Sequence, residues 1–152
     1  MLSLQFGARV VAPTARDPER IVGEYALHLQ CPWRISGRAG LVVGAGDMYI
    51  EGQPDASGRE FTPERPGNAV ADLRLREWLS AHAERPITVT GIEVDRCGGF
   101  ALALSEDFMF EVFPDSFGDQ SEDEVHSEYW RLLRPGREQP HFVMRGRRAE
   151  VG

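Results

Sequence analysis

The run YALHLQCPWRI, residues 25–35, carries the clearest pattern in the chain. Tyr25, Leu27, Leu29, Cys31, Trp33 and Ile35 alternate with Ala26, His28, Gln30, Pro32 and Arg34. A period of two predicts a half-buried β-strand, because successive side chains of a strand point to opposite faces. Pro32 has no N–H to give a ladder, so the strand should be an edge or bulge there, which discourages pairing with a second chain. SGRAG (36–40) reads as a turn and LVVGAGDMYI (41–50) as the return strand of a hairpin. The expected register sets Ile35 against Val42, Trp33 against Gly44, Cys31 against Gly46, Leu29 against Met48 and Leu27 against Ile50. Gln30 then faces Asp47, and Arg34 faces Val43. Gly44 and Gly46 would leave room for the indole and the thiol. A slip by one residue would bring Asp47 onto the core face, which is costly.

Outward from this hairpin, EGQPDASGREFTPERPGN (51–68) reads as a long loop, mobile or functional. Asn68 is placed to cap a helix over about 69–83, with Val70, Leu73, Leu75, Trp78, Leu79 and His82 forming its apolar stripe. A β-meander follows. Ile87 and Val89 alternate, and the phase then shifts at Thr90-Gly91 so that Ile92 and Val94 continue, which marks a β-bulge. RCGG (96–99) and SED (105–107) are turns that separate FALALS (100–105) from its flanking strands, the second of them FMFEVF (108–113). Residues 114–128 form an acidic loop. YWRLLR (129–134) and HFVMR (141–145) make a last hairpin, and residues 146–152 should fray. Trp-Arg-Ile at 33–35 and Trp-Arg-Leu at 130–132 echo each other, with Trp expected in the core and Arg on the outer face.

These elements predict a single α+β domain over residues 1–152. Its sheet would be antiparallel, of about six to eight strands, curved or closed into a partial barrel, with one main helix packed on it. The expected core is Leu27, Leu29, Trp33, Ile35, Leu75, Trp78, Leu79, Val89, Phe100, Leu102, Phe110, Val112, Trp130, Leu132, Phe142 and Met144.

Composition narrows the function classes. The 152 residues are 41% hydrophobic, which suffices for one core. The net charge of −7 argues against nucleic acid as a partner, since phosphate contacts need a basic face. The charge is uneven: residues 51–128 hold six Arg against eighteen acids, and residues 129–152 hold six Arg against two. No apolar run reaches the ~20 residues of a membrane span, and the first residues lack signal-peptide character. With only Cys31 and Cys97 there is no disulfide framework, so a cytoplasmic protein is expected.

Motifs for chemistry are missing. His28, His82, His126 and His141 lack metal-site spacing, and there is no C-x-x-C or H-E-x-x-H. Neither a catalytic residue, a metal nor a cofactor is predicted. Cys31 lies on an apolar strand face, where a thiol is inert, and Cys97 lies in a turn beside Arg96. An enzyme would need two of His28, Cys31, Asp47, Glu111 and His141 to meet in a cleft. Surface recognition remains. Its candidates are His28, Arg34 and Asp47 on the first hairpin and Tyr129, Arg131 and His141 on the last. The same residues also fit a solvated polar face with cross-strand pairs. Asp119, Glu122, Asp123 and Glu124 form an acidic stretch that would face a basic protein partner, or stay solvated.

ALHLQCPWRIS (26–36), VGAGDMY (43–49), EVFPD (111–115) and EYWRLLRP (128–135) together resemble a family of small uncharacterised bacterial proteins, common in actinobacteria. The resemblance spans Ala26 to Met144. It implies a shared fold and carries no catalytic residue, because the family has no established activity. All 17 basic residues are Arg, which fits GC-rich bacterial coding. By analogy, small acidic β-rich proteins of this kind include immunity proteins of toxin systems. The expected function is thus a non-enzymatic protein-binding module. The alternatives are a small-ligand-binding domain, with His28 or Arg34 converging on an apolar pocket, and an enzyme of unknown reaction.

Overall fold

A computed structural model describes residues 1–53, 58–63, 65, 67–115, 128–136, 140–146 and 148–151. Among them, the chain forms β1 (Leu2–Val11), β2 (Ile21–Leu29), β3 (Trp33–Gly37), β4 (Gly40–Gly44), α1 (Val70–Ala81), β5 (Val89–Val94), β6 (Phe100–Leu104), β7 (Met109–Val112), β8 (Glu128–Leu133), β9 (Phe142–Arg145) and β10 (Arg148–Val151). The protein is therefore mixed α+β, with antiparallel strands and one main helix. The strands build two sheets rather than one curved sheet or barrel, and they number ten rather than six to eight. One sheet has the order β1-β2-β8-β9-β10 and the other β4-β3-β7-β6-β5. The chain divides into two compact units. The first is drawn from Met1–Cys31, Asp95–Gly98 and Pro114–Gly152; the second from Pro32–Val94 and Gly99–Phe113.

The alternating run 25–35 is the place where the two sheets divide. It is two strands, β2 and β3, interrupted at Gln30–Pro32. The Gln30 N–H donates to the Tyr129 carbonyl (2.8 Å), whereas the Pro32 carbonyl accepts from the Phe113 N–H (3.0 Å). Pro32 has no N–H with which to continue a ladder. The alternation survives the break because Leu27, Leu29, Cys31, Trp33 and Ile35 are all buried. Neither β2 nor β3 is an edge. β2 lies between β1 and β8, and β3 lies between β4 and β7.

The expected hairpin register is corrected accordingly. Ile35 opposes Val43 and Arg34 opposes Gly44, with a bulge between Ile35 and Ser36. The bulge puts Val43, fully buried, on the core face beside Ile35. Residues 45–49 are a 3₁₀ turn, so Cys31, Leu29 and Leu27 have no partner on that side. Leu27 and Leu29 pair instead with Leu132 and Trp130 of β8, and with Leu4 and Leu2 of β1. Gly44 and Gly46 do not make room for the indole and thiol: a Cβ at Gly44 would meet only ordinary contacts, and one at Gly46 nothing. Within this hairpin Gly37 makes room instead for the Phe108 ring, since a Cβ there would lie 2.8 Å from it.

In the second unit α1 covers one end of the sheet. Its N-cap is Ala69, not Asn68. Asp72 stabilises the first turn by accepting from the N–H groups of Gly67 (2.8 Å) and Ala69 (3.1 Å). The chain before it is closed at its base, with Gly52 N–H on the Asn68 carbonyl (2.8 Å) and Val70 N–H on the Ile50 carbonyl (2.9 Å). Trp78 and His82 both pack edge-on against Phe108, with centroids 5.4 and 5.2 Å from its ring. Leu79 points to solvent rather than into the core. Burial of Trp33, Ile35, Val43, Phe110 and Val112 anchors the sheet, each worth ~1.5–3 kcal/mol for a large apolar side chain. The expected bulge is present between Val89 and Gly91, but Val89 is exposed.

In the first unit β8 and β9 form the expected hairpin. Val143 is buried and Phe142 is partly exposed, the reverse of the expected face. The tail does not fray from residue 146: β10 pairs with β9, Arg148 opposite Arg145 through Val151 opposite Phe142.

Candidate functional site

Four of the six sequence candidates for binding, His28, Tyr129, Arg131 and His141, lie in the first unit, and three of them meet there. His28 of β2 is the direct cross-strand neighbour of Arg131 of β8. Tyr129 lies two residues before Arg131, in the bulge of β8 between Glu128 and Trp130. Arg131 holds Glu128 with a fork, Nε to Oε1 at 3.1 Å and Nη2 to Oε2 at 2.6 Å. Its Nη1 lies 3.2 Å from His141 Nδ1. Arg145 Nη2 approaches Glu128 Oε2 at 3.9 Å. The Glu128 side chain is only 10% exposed, so these cations compensate a nearly buried carboxylate. Tyr129 is 7% exposed and is a core residue rather than a contact surface. This cluster reads as internal pairing between strands, with Arg131 turned toward its own sheet.

Arg34 and Asp47 lie apart from that cluster, in the second unit. Asp47 caps the 3₁₀ turn by accepting from the Gly44 N–H (2.9 Å). Arg34 is different. Trp33 and Ile35 point to the core, so alternation sends Arg34 to the opposite face, across from Glu111 of β7. Arg34 Nε donates to Glu111 Oε2 at 2.6 Å and Nη2 to Oε1 at 2.8 Å, a planar bidentate fork. The guanidinium carbon sits 5.5 Å from the centroid of the Phe113 ring. The hydrogen bonds from Arg34 hold the Glu111 carboxyl below its usual range, against a smaller opposing effect of burial. The same bonds raise the basicity of Arg34. Around the pair lies an open depression of about 590 Å³, walled by Trp33, Leu41, Glu111 and Phe113. Leu41, Met109 and Phe113 are large apolar side chains exposed on this part of the sheet.

As a site residue Glu111 enters the sequence reading only as an enzyme candidate, and Phe113 and Leu41 enter it only as strand residues. Their signal is the β3–β7 register, which joins residues 77 apart in sequence. Burial pushes the Cys31 thiol up to about 11, outweighing a backbone hydrogen bond and reinforced by Asp115. Cys97 is exposed, its N–H held by Asp95 Oδ1 (2.7 Å). The turn after β6 is strained: Glu106 and Asp107 both adopt φ of 60°. Asp107 is paired with Arg38 at 2.5 Å, and Glu106 lies 3.5 Å from His82 Nε2. Asp119, Glu122, Asp123 and Glu124 lie outside the described residues. Among the described residues no group of three or more His, Cys, Asp or Glu is placed to hold a metal ion. Among them, too, no helix is long and apolar enough to cross a membrane.

A scan against protein-family models finds no match for the chain. Searches of the curated proteins and of the solved structures likewise find no match.

Proposed function

We propose that the chain is a non-enzymatic, cytoplasmic protein-binding module, of the actinobacterial type its motifs resemble, and that it binds through the Arg34 face of the second unit. One observation carries this reading: three large apolar side chains, Leu41, Met109 and Phe113, stand exposed around the Arg34–Glu111 fork. An arginine held by a carboxylate fork near an aromatic ring, within an apolar surround, has the composition of an interface hot spot. The pair is already formed in the free protein, so a partner meets an ordered surface and the side-chain ordering cost of association falls. The net charge of −7 favours a basic partner. The acidic residues Asp119, Glu122, Asp123 and Glu124 would speed that encounter by steering, in the manner of an immunity protein.

The test is capture from a bacterial lysate on immobilised protein, washed at low and high salt, with Phe113→Ser and Arg34→Ala as parallel baits. The expected result is one stoichiometric protein on the wild type, released by salt and lost from both variants. A protein retained equally by all three baits, or none at either salt, overturns the reading. A second reading, a small-ligand site, is favoured by the size of the depression. About 590 Å³ lies within the ~300–1,000 Å³ typical of ligand pockets. A thermal-shift screen in which a compound stabilises the wild type but not Arg34→Ala would decide for it.

A further inference from the structure

Resting on the reading of the Arg34 face as the binding face, we propose that the depression beside Arg34 and Glu111 is a subsite for an uncharged carboxamide on a flat apolar group, and that it turns away carboxylates and cations of the same shape. Its polar groups are set by the fork. Arg34 gives its Nε–H and one Nη2 N–H to Glu111, at 2.6 and 2.8 Å. The Nη1 N–H groups and the second Nη2 N–H are left over, and among the described residues no acceptor meets them. Each Glu111 oxygen takes one hydrogen bond from the fork and keeps a lone pair. Both side chains reach solvent, Arg34 at 50% exposure and Glu111 at 25%. Donors and acceptors therefore lie side by side. A carboxamide offers the complement on a single carbon, a C=O to accept and an NH2 to donate.

Charge supplies the selection. The fork cancels its own charges, so it has no net attraction to offer an ion at short range. A ligand carboxylate would reach Arg34 only by standing next to Glu111, and a ligand cation would reach Glu111 only by standing next to Arg34. Either approach sets like charges together or pulls the fork apart. A carboxamide bonds to both partners and leaves the fork whole. The walls fit the apolar part of such a group. Leu41 and Phe113 stand exposed on either side of the polar pair's surround, and the Phe113 ring centroid is 5.5 Å from the Arg34 guanidinium carbon. Gly40 and Gly46 form an uncrowded margin, since a Cβ at either would meet nothing within 4 Å.

The experiment is an NMR titration of the full-length protein with three probes of one shape: benzamide, which is uncharged, benzoate, an anion, and benzamidine, a cation. Benzamide should shift the resonances of Arg34, Leu41, Glu111 and Phe113, with a Kd on the order of millimolar for so small a probe. Benzoate and benzamidine should bind the wild type more weakly by on the order of 10-fold. Removing one charge should then invert the order. Glu111→Gln leaves Arg34 uncompensated, so benzoate should overtake benzamide. Arg34→Gln leaves Glu111 uncompensated, so benzamidine should lead. The dispersion of each variant's spectrum shows whether it is folded, and either variant suffices.

A wild type that prefers benzoate or benzamidine, or that responds to none of the three probes, overturns the proposal. So does an order of preference that stays the same in a folded variant. Capture from lysate fails separately. A partner lost from Arg34→Ala without any benzamide binding sinks the subsite alone. Benzamide binding without a captured partner sinks the protein partner and leaves the subsite to a free small amide. Where both succeed, saturating benzamide added during capture tells the two sources apart: release of the partner puts the carboxamide on the partner's own Asn or Gln side chain, and retention puts it on a free ligand.

Discussion

The two Trp-Arg strands share a sequence and part ways in three dimensions. On β3, Trp33 is 2% exposed and packs on Phe110, with ring centroids 6.3 Å apart, while Arg34 stands out from the opposite face. On β8, Trp130 is half-buried, stacks on Phe142 at 5.4 Å and donates its Nε1–H to the Gly98 carbonyl at 2.7 Å. There it is Arg131 that turns inward, onto Glu128. The difference comes from the neighbours. β3 has Glu111 directly across from its arginine, on an open face. β8 carries its own acid three residues earlier, brought to the arginine by the bulge at Tyr129, which is itself buried. A dipeptide therefore sets which side chains alternate, and the flanking strands decide which of the two faces is the inside.

The largest test of this contrast removes the rings. Trp33→Ala should cost ~3–5 kcal/mol by chemical denaturation, the range for emptying a packed aromatic site. Trp130→Phe keeps the stacking, leaves the Gly98 carbonyl without its donor, and should cost ~1–3 kcal/mol. Equal losses would erase the distinction between the two strands. Next come the arginines. Arg131→Ala leaves a carboxylate that is 10% exposed with only Arg145, 3.9 Å away, as its cation among the described residues, and should cost ~1–3 kcal/mol. Arg34→Ala should cost distinctly less, because the Arg34–Glu111 fork is open to solvent and salt. The smallest effect is in pH. Glu111 is held below its usual range, so its pairing contributes stability above the ordinary glutamate range. That contribution is lost as pH falls through the depressed value. The acid limb of a stability–pH curve should therefore be slightly shallower in Arg34→Ala than in wild type, and an identical limb would mean that the fork is thermodynamically silent.

Much of the local structure was legible in the residues. The bulge at Thr90-Gly91, the helix ahead of Pro86 and the β8–β9 hairpin each have a nearby cause: a phase slip, a proline stop, two apolar runs with a turn between them. What could not be read is the assignment of strands to sheets. Leu27 and Ile35 belong to one unbroken alternation, yet Leu27 pairs with Leu132 and Ile35 with Phe110. Those partners are chosen by long-range packing, and period two carries no information about it. For the same reason Arg34 was legible as an outward residue, while Glu111 and Phe113 became its neighbours only through the fold. Tyr129 misled because an aromatic residue beside Arg looks like an interface and is equally at home in a core.

The Pro32–Phe113 hydrogen bond has a consequence for biosynthesis. It joins the entrance and exit of the second unit's chain, at 3.0 Å. A ribosome delivers β3 through β7 in one stretch, so this unit can complete its sheet as soon as Val112 and Phe113 have emerged. β2 must wait for β8, roughly a hundred residues later, before it gains its second neighbour. Until then the β1–β2 hairpin is a nascent edge, and the slowest step of maturation should be the arrival of residues 128–133 rather than any event inside the unit between them.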